Sequence, residues 1–213
     1  MRHFRPEILG QSSHVQFQPK NIWRIIFRRL VRFKQGLQEG AIEQMRQGLA
    51  ARQATGTELM RPHLLAQLAE ALGKTRQPEQ GLRVLDEALA VAHRNGERCY
   101  QAELYRLKGE LLLLQSTGRA VSQAATGGNV VFEAEPPAVA QAEGCFNQSI
   151  KIAQQQKAKS LELRAVMSVA RLYQNRGKQE EARGLLAQIY DRFTEGFDTM
   201  DLREAKALLD ELS

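Results

Sequence analysis

Cysteine is scarce in this chain: Cys99 and Cys145 are the only two among 213 residues. They lie 46 residues apart, with no CxxC pair and no histidine at zinc-ligand spacing. Neither a disulfide framework nor a structural metal site is implied. Both thiols are expected to be buried or half-buried. Long apolar runs are also missing. The longest run of Leu, Ile or Val is Leu111 to Leu114, far short of the roughly 18 residues a membrane-spanning helix needs. The first residues, Met1-Arg-His-Phe-Arg-Pro6, lead into no uncharged apolar stretch or small-residue cleavage site. No secretory signal is expected, and the cytoplasm is the expected compartment.

What is present is the balance of an ordinary soluble globular protein, 43% hydrophobic and 25% charged, which excludes collagen-like and fully disordered chains. The net charge of +6 with a pI near 9.5 suggests a nucleic-acid or membrane-surface binder until its distribution is considered. Residues 1–34 carry eight basic side chains (Arg2, Arg5, Lys20, Arg24, Arg28, Arg29, Arg32, Lys34) against Glu7 alone, a charge of +7. The whole chain's +6 less this +7 leaves −1 on residues 35–213. The body is electrically balanced, and nucleic acid is not an expected partner for it.

Past residue 38 apolar residues recur at three and four positions, β-branched residues are sparse, and Ala, Leu, Gln, Glu and Arg dominate, so the spacing predicts helix almost throughout. A longer period lies on top. Three segments, 65–88, 105–149 and 167–189, each read as two helices with a small residue on the first (Ala69, Gly109, Ala170) and another on the second (Gly81, Ala142, Ala182). A large apolar residue follows the second small one by four positions (Leu85, Phe146, Leu186). The intervals from first to second small residue are 12, 33 and 12, so the middle unit holds 21 extra residues; without them every corresponding pair is 40 apart. A fourth second-helix signature, Ala41 with Met45, lies 40 before Gly81. Helices approach to about 8–10 Å only where the crossing side chains are short. The pattern resembles the tetratricopeptide repeat, with Tyr173 at its usual aromatic position, although a period of 40 exceeds the roughly 34 of the standard form. The expected fold is all-α: tetratricopeptide-like helical hairpins stacked into a short right-handed solenoid. The expected domain spans residues 35–213, after a divergent basic segment, 1–34.

Turn chemistry follows the same register. Pro78 suits the first turn of a second helix, Asn95-Gly96 a helix stop and restart, and Gly177-Lys178 the junction of the last pair. The insertion, at about 117–137, carries Gly127-Gly128 and Pro136-Pro137 around Asn129-Val130-Val131-Phe132. It is expected to be a surface loop, with the Val-Val-Phe stretch as an alternative partner-binding strand.

Residues suggestive of chemistry yield to plainer readings. Gly73-Lys74-Thr75 ends like a phosphate loop, but the position of that motif's first glycine is Leu68 in mid-helix and no strand precedes it, so a helix end and turn are expected. Asn147-Gln148-Ser149 matches a glycosylation triplet yet falls on a predicted helix of a cytoplasmic chain. His3, His14, His63 and His93 show no metal-ligand spacing, and no nucleophile pairs with a base. No cofactor, metal or catalytic residue is expected; a binding role is.

In a tetratricopeptide superhelix the first helices line the concave groove. By analogy the groove candidates are His63, Glu70 and Lys74 from one unit, Glu103, Arg106 and Glu110 from the next, and Arg164, Arg171, Gln174 and Asn175 from the last. Their mixed charge suits an extended peptide or a partner helix; the alternative is a solvated polar face with no partner. Residues 21–34 form a basic amphipathic pattern, with Ile22, Trp23, Ile26, Phe27, Leu30, Val31 and Phe33 over half the helical wheel and Arg24, Arg28, Arg29 and Arg32 on the rest. That suits a membrane-surface helix, or a first helix paired with residues 38–54. Against the pairing, the crossing position 40 before Ala69 is Arg29.

Several phrases carry a wider resemblance: Met45-Arg-Gln-Gly-Leu-Ala-Ala51, Ala102-Glu-Leu-Tyr-Arg-Leu-Lys-Gly-Glu-Leu-Leu112, Ala158-Lys-Ser-Leu-Glu-Leu-Arg-Ala165, and Phe193-Thr-Glu-Gly-Phe-Asp-Thr199 with Asp201-Leu-Arg-Glu-Ala-Lys-Ala-Leu-Leu209. From about Gln35 onward the chain resembles the C-terminal tetratricopeptide region of large bacterial signalling proteins that join a class III adenylate/guanylate cyclase domain to a predicted AAA-like ATPase. The resemblance implies a non-catalytic region for interaction and regulation, since none of the cyclase or ATPase motifs is present. Residues 1–33 do not share it, and the expectation is a detached tail of a larger ancestor with a new or frame-shifted start. The expected function is a protein- or peptide-binding repeat module. The alternatives are a regulatory fragment acting on a separately encoded cyclase or ATPase, and a peripheral membrane or nucleic-acid binder acting through residues 1–34.

Overall fold

A computed structural model of the chain describes residues 40–56, 58–125 and 137–213. The basic segment 1–34, Arg29 with it, and the stretch Asn129 to Phe132 lie outside the described residues. The chain forms two compact units, Met1–Thr57 and Glu58–Ser213. Among the described residues there are eight helices and no strand. In the first unit is α1 (Ala41–Ala54). In the second are α2 (Arg61–Lys74), α3 (Pro78–Asn95), α4 (Gln101–Ala125), α5 (Pro137–Gln155), α6 (Lys159–Asn175), α7 (Gln179–Tyr190) and α8 (Met200–Glu211).

Within the second unit, helices α2/α3, α4/α5 and α6/α7 form three antiparallel hairpins. Each first helix also lies against the hairpin before it, α4 on α2 and α3, and α6 on α4 and α5; α8 packs on α6 and α7. This neighbour-only packing is that of a helical-repeat solenoid. The crossings fall where the small residues require them. Ala69, Ala142, Ala170 and Ala182 are fully buried, and Leu85, Phe146 and Leu186 fill the space beside them with no exposed surface. Burying each such side chain contributes about 1.5–3 kcal/mol. A Cβ on Gly109 would stand 2.5 Å from Cε1 of Phe146, so the glycine makes room for the ring.

The period extends to surface burial. Residues 41–50, 81–90 and 142–151 share one order of buried, half-buried and exposed positions, and they are 40 and 61 residues apart, the second interval being the period plus the insertion. The helix ends show a half-period. Arg76, Gly96, Lys157 and Gly177 all have positive φ, from 54° to 73°, at intervals of 20, 61 and 20 residues. At each, the following N–H donates back to a carbonyl of the last helical turn: Gln77 to Leu72, Glu97 to Ala92, Ala158 to Ala153 and Lys178 to Tyr173, at 2.8–3.0 Å. This is the left-handed helix stop. Glycine adopts it freely, while Arg76 and Lys157 do so against a cost of about 1–2 kcal/mol, which is why only Gly96 and Gly177 stand out in the sequence.

Two expectations need correction. The insertion expected as a loop over 117–137 is helical over its first nine residues, since α4 runs to Ala125 and α5 begins at Pro137. A single glycine inside a helix costs only about 1 kcal/mol, so Gly118, with open space around it, does not stop α4. Cys99, expected to be buried or half-buried, is exposed in the turn before α4, whereas Cys145 is half-buried and its thiol is pushed up by burial. Gly73 and Lys74 end α2 with Thr75 as the capping residue, the helix end expected of them.

Candidate functional site

The first helices α2, α4 and α6 place the candidate groove residues in register. His63, Glu103 and Arg164 are equivalent positions, 40 and 61 apart, and so are Glu70, Glu110 and Arg171. Side-by-side packing of these helices turns sequence-equivalent positions into lateral neighbours. Arg164 Nη1 lies 3.7 Å from Glu103 Oε1.

The centre of this face is an ion-pair cluster. Arg106 donates from Nε and Nη2 to the two carboxylate oxygens of Glu103, at 2.9 and 2.7 Å, and from Nη1 to Glu110. The side chains of Arg106 and Glu103 are only 13% and 12% exposed. Burial alone would raise the Glu103 carboxyl, but the hydrogen bond and charge of Arg106, with Arg164 behind, hold it below the ordinary carboxylate range. Arg106 is likewise held more firmly protonated by the two glutamates than its burial would allow. Ser168 Oγ on α6 donates to Glu110 at 3.0 Å, and Arg164 Nε to Asp201 on α8 at 2.8 Å.

Around the cluster the candidates are more open. His63 is half-buried and stacks on Tyr100 with ring centroids 4.2 Å apart. Lys74 donates to Glu70 at 2.7 Å. Arg171 is exposed, with Glu204 at 3.7 Å. Gln174 is half-buried and Asn175 exposed at the end of α6, and neither side chain makes a hydrogen bond among the described residues. Next to them Glu143 of α5 accepts from Tyr173 Oη at 2.9 Å and from Arg176 at 2.7 Å; the Arg176 hydrogen bond, outweighing partial burial, holds its carboxyl low.

The structure thus brings Glu103, Arg106, Glu110 and Arg164 together and leaves Arg171, Gln174 and Asn175 beyond them. Three contributors, Ser168, Asp201 and Glu204, were absent from the sequence expectation. Glu204 carried a signal in the sequence, since it lies one period of 40 after Arg164; the buried Leu202, Ala205 and Leu208 mark α8 itself, while the pairings of Ser168 and Asp201 depend on how the hairpins stack. Among the described residues no group of His, Cys, Asp or Glu is arranged to hold a metal ion, and no helix is long and apolar enough to cross a membrane.

No protein-family model matches the chain, and no curated protein matches it. Solved structures do. The chain is similar to a putative kinesin light chain from Podosopora anserina with nearly identical tetratricopeptide-like repeats, at a TM-score of 0.60 and 16% identity over 92% of this chain and 87% of that one. A single-substitution variant of that protein gives 0.59 with the same identity and coverage. The likeness shows the fold: the chain is a tetratricopeptide-like helical-repeat protein.

Proposed function

We propose that the chain is a non-catalytic protein-interaction module that takes a protein or peptide partner on the face formed by α2, α4 and α6. The supporting observation is the arrangement of that face: register-equivalent polar residues from successive repeats stand side by side, with a floor of paired charges and an open end at Arg171, Gln174 and Asn175. The paired floor, with Arg106 and Arg164 set against Glu103, Glu110 and Asp201, offers a partner only one unit of net charge, so recognition falls on the open polar side chains. Amides such as Gln174 and Asn175 both donate and accept, the chemistry needed to meet a peptide backbone.

The open end supplies the test, because its residues hold no part of the core. An array of extended peptides is expected to yield ligands whose affinity drops roughly tenfold, the loss of a strong contact, in Arg171→Ala/Asn175→Ala, with melting unchanged. Ligands bound equally by parent and variant would remove the groove assignment.

The resemblance of several sequence phrases to those of cyclase/ATPase proteins supports a finer reading, that this is the interaction region of such a signalling protein, acting in the cytoplasm on a cyclase or ATPase. Failure of a purified cyclase/ATPase of that architecture to co-elute with the chain would remove it and leave the interaction module standing.

A further inference from the structure

A cavity of about 650 Å³ lies where α2 turns into α3, between that turn and the C-terminal half of α4. Arg76, Pro78, Glu79, Arg83, Leu114 and Gln115 are among its lining, and none of the groove candidates is.

Three of these residues depart from the repeat. Arg76 occupies the place of Gly177 in the last hairpin, and Arg83 that of Gly144 and Gly184 in the two hairpins that follow. Leu114 stands where α2 has Lys74 and α6 has Asn175. The fold asks for none of the three. Arg76 holds φ at 57°, a conformation glycine takes freely and arginine does not. No side chain is needed at the Arg83 position, since Gly144 and Gly184 have open space where a Cβ would stand. Leu114 is 36% exposed, so its apolar surface is only partly used in packing.

Arg76 and Arg83 are both exposed, and among the described residues neither guanidinium makes a hydrogen bond or an ion pair. Glu79 accepts from Gln115 Nε2 at 3.5 Å. Two arginines against this one glutamate leave the lining a surplus of positive charge. An unpaired guanidinium offers a planar fork of donors that a carboxylate fills with two parallel hydrogen bonds, and Leu114 beside it rewards burial by an apolar side chain. A cavity of this volume admits a few amino-acid residues. A nucleic-acid backbone would meet the arginines and leave the leucine without a use.

We propose that this cavity is a second binding site, for an acidic peptide segment with an apolar residue among its carboxylates. Arg76 and Arg83 take the carboxylates, and Leu114 takes the apolar side chain.

The probe is a short labelled peptide of Asp and Glu around one Leu, titrated against the full-length chain beside a version with Asn and Gln for the acids and another with Ser for the Leu. The acidic leucine peptide is expected to bind the parent best, and roughly tenfold more weakly to Arg76→Gly/Arg83→Ala, a variant that should melt no lower than the parent. Arg76→Lys/Arg83→Lys should recover part of the affinity by keeping the charge. Leu114→Asn should abolish the preference for leucine over serine. Arg171→Ala/Asn175→Ala should bind as the parent does, which separates this site from the α2, α4 and α6 face. Equal affinity for parent and Arg76→Gly/Arg83→Ala would overturn the proposal, since binding by the basic residues of 1–34 survives that change. No binding to the parent would also overturn it, as would binding that appears only after deletion of residues 126–136, which would make the chain's own segment the occupant. So would a single-stranded oligonucleotide that binds more tightly than every peptide and is lost in the same variant.

Discussion

Gly109→Ala is expected to destabilise the protein, while Gly144→Ala and Gly184→Ala stabilise it. All three glycines lie inside helices, where replacing glycine with alanine ordinarily gains about 0.5–1 kcal/mol. Gly144 and Gly184 are exposed and have open space where a Cβ would stand, so they should show that gain. At Gly109 the new methyl would meet three atoms of the Phe146 ring at 2.5–2.9 Å. The ring has no exposed surface and is enclosed by Ala142, Val169 and Leu172, so it has little room to retreat. Overpacking of this kind costs about 1–3 kcal/mol, enough to reverse the sign. Phe146→Leu on the Gly109→Ala background should recover part of the loss, with a coupling of about 0.5–3 kcal/mol in the double-mutant cycle. Urea midpoints of the five variants check all of this, and a stabilising Gly109→Ala would show that α4 and α5 do not cross there.

Replacing Arg106 with Met is expected to cost about 3 kcal/mol, the scale on which breaking a buried ion pair destabilises by stranding its partner. The stranded group is Glu103, only 12% exposed; Glu110, at 40% exposure, can turn to water. The pH dependence identifies the cause. Glu103 is held below the ordinary glutamate value in the folded chain, so its contribution is present at neutral pH and lost as pH falls through that lowered value. Without Arg106, the hydrogen bond that offsets burial is gone and only the charges of Arg164 and His63 oppose it, which moves Glu103 toward the protonated form. Parent and variant stabilities should therefore converge toward acid. A constant difference from neutral pH to pH 3 would mean that Arg106 acts through the packing of its stem. Arg106→Lys should fall between the two, keeping the charge and losing the paired hydrogen bonds to both oxygens of Glu103.

The contrast between these two sites shows what the sequence disclosed. Small residues at a 40-residue interval report a steric requirement that each position carries by itself, so Ala69, Gly109, Ala142 and Ala170 were legible one by one. The glycine stops at Gly96 and Gly177 were legible for the same reason, whereas Arg76 and Lys157 hide an identical backbone behind ordinary side chains. Ion pairs are properties of two residues, and the pairing of Arg164 with Glu103 and Asp201 depends on how the hairpins stack. Arg106 was therefore expected to face a ligand, and the structure gives it two internal carboxylates. Cys99 and the helical start of the insertion were missed because neither a spacing of cysteines nor a single glycine determines local exposure or a helix end.

The hairpins follow one 40-residue period, interrupted by 21 residues in the middle unit. Deleting Arg119 to Val139 tests it most directly, since it restores the interval from Gly109 to Ala142 to 12. The shortened chain is expected still to unfold in one cooperative urea transition, with the helical circular dichroism expected for the residues that remain. A chain that loses its cooperative transition, while one shortened at 126–136 alone keeps it, would contradict the register on which the fold and the proposed binding face rest.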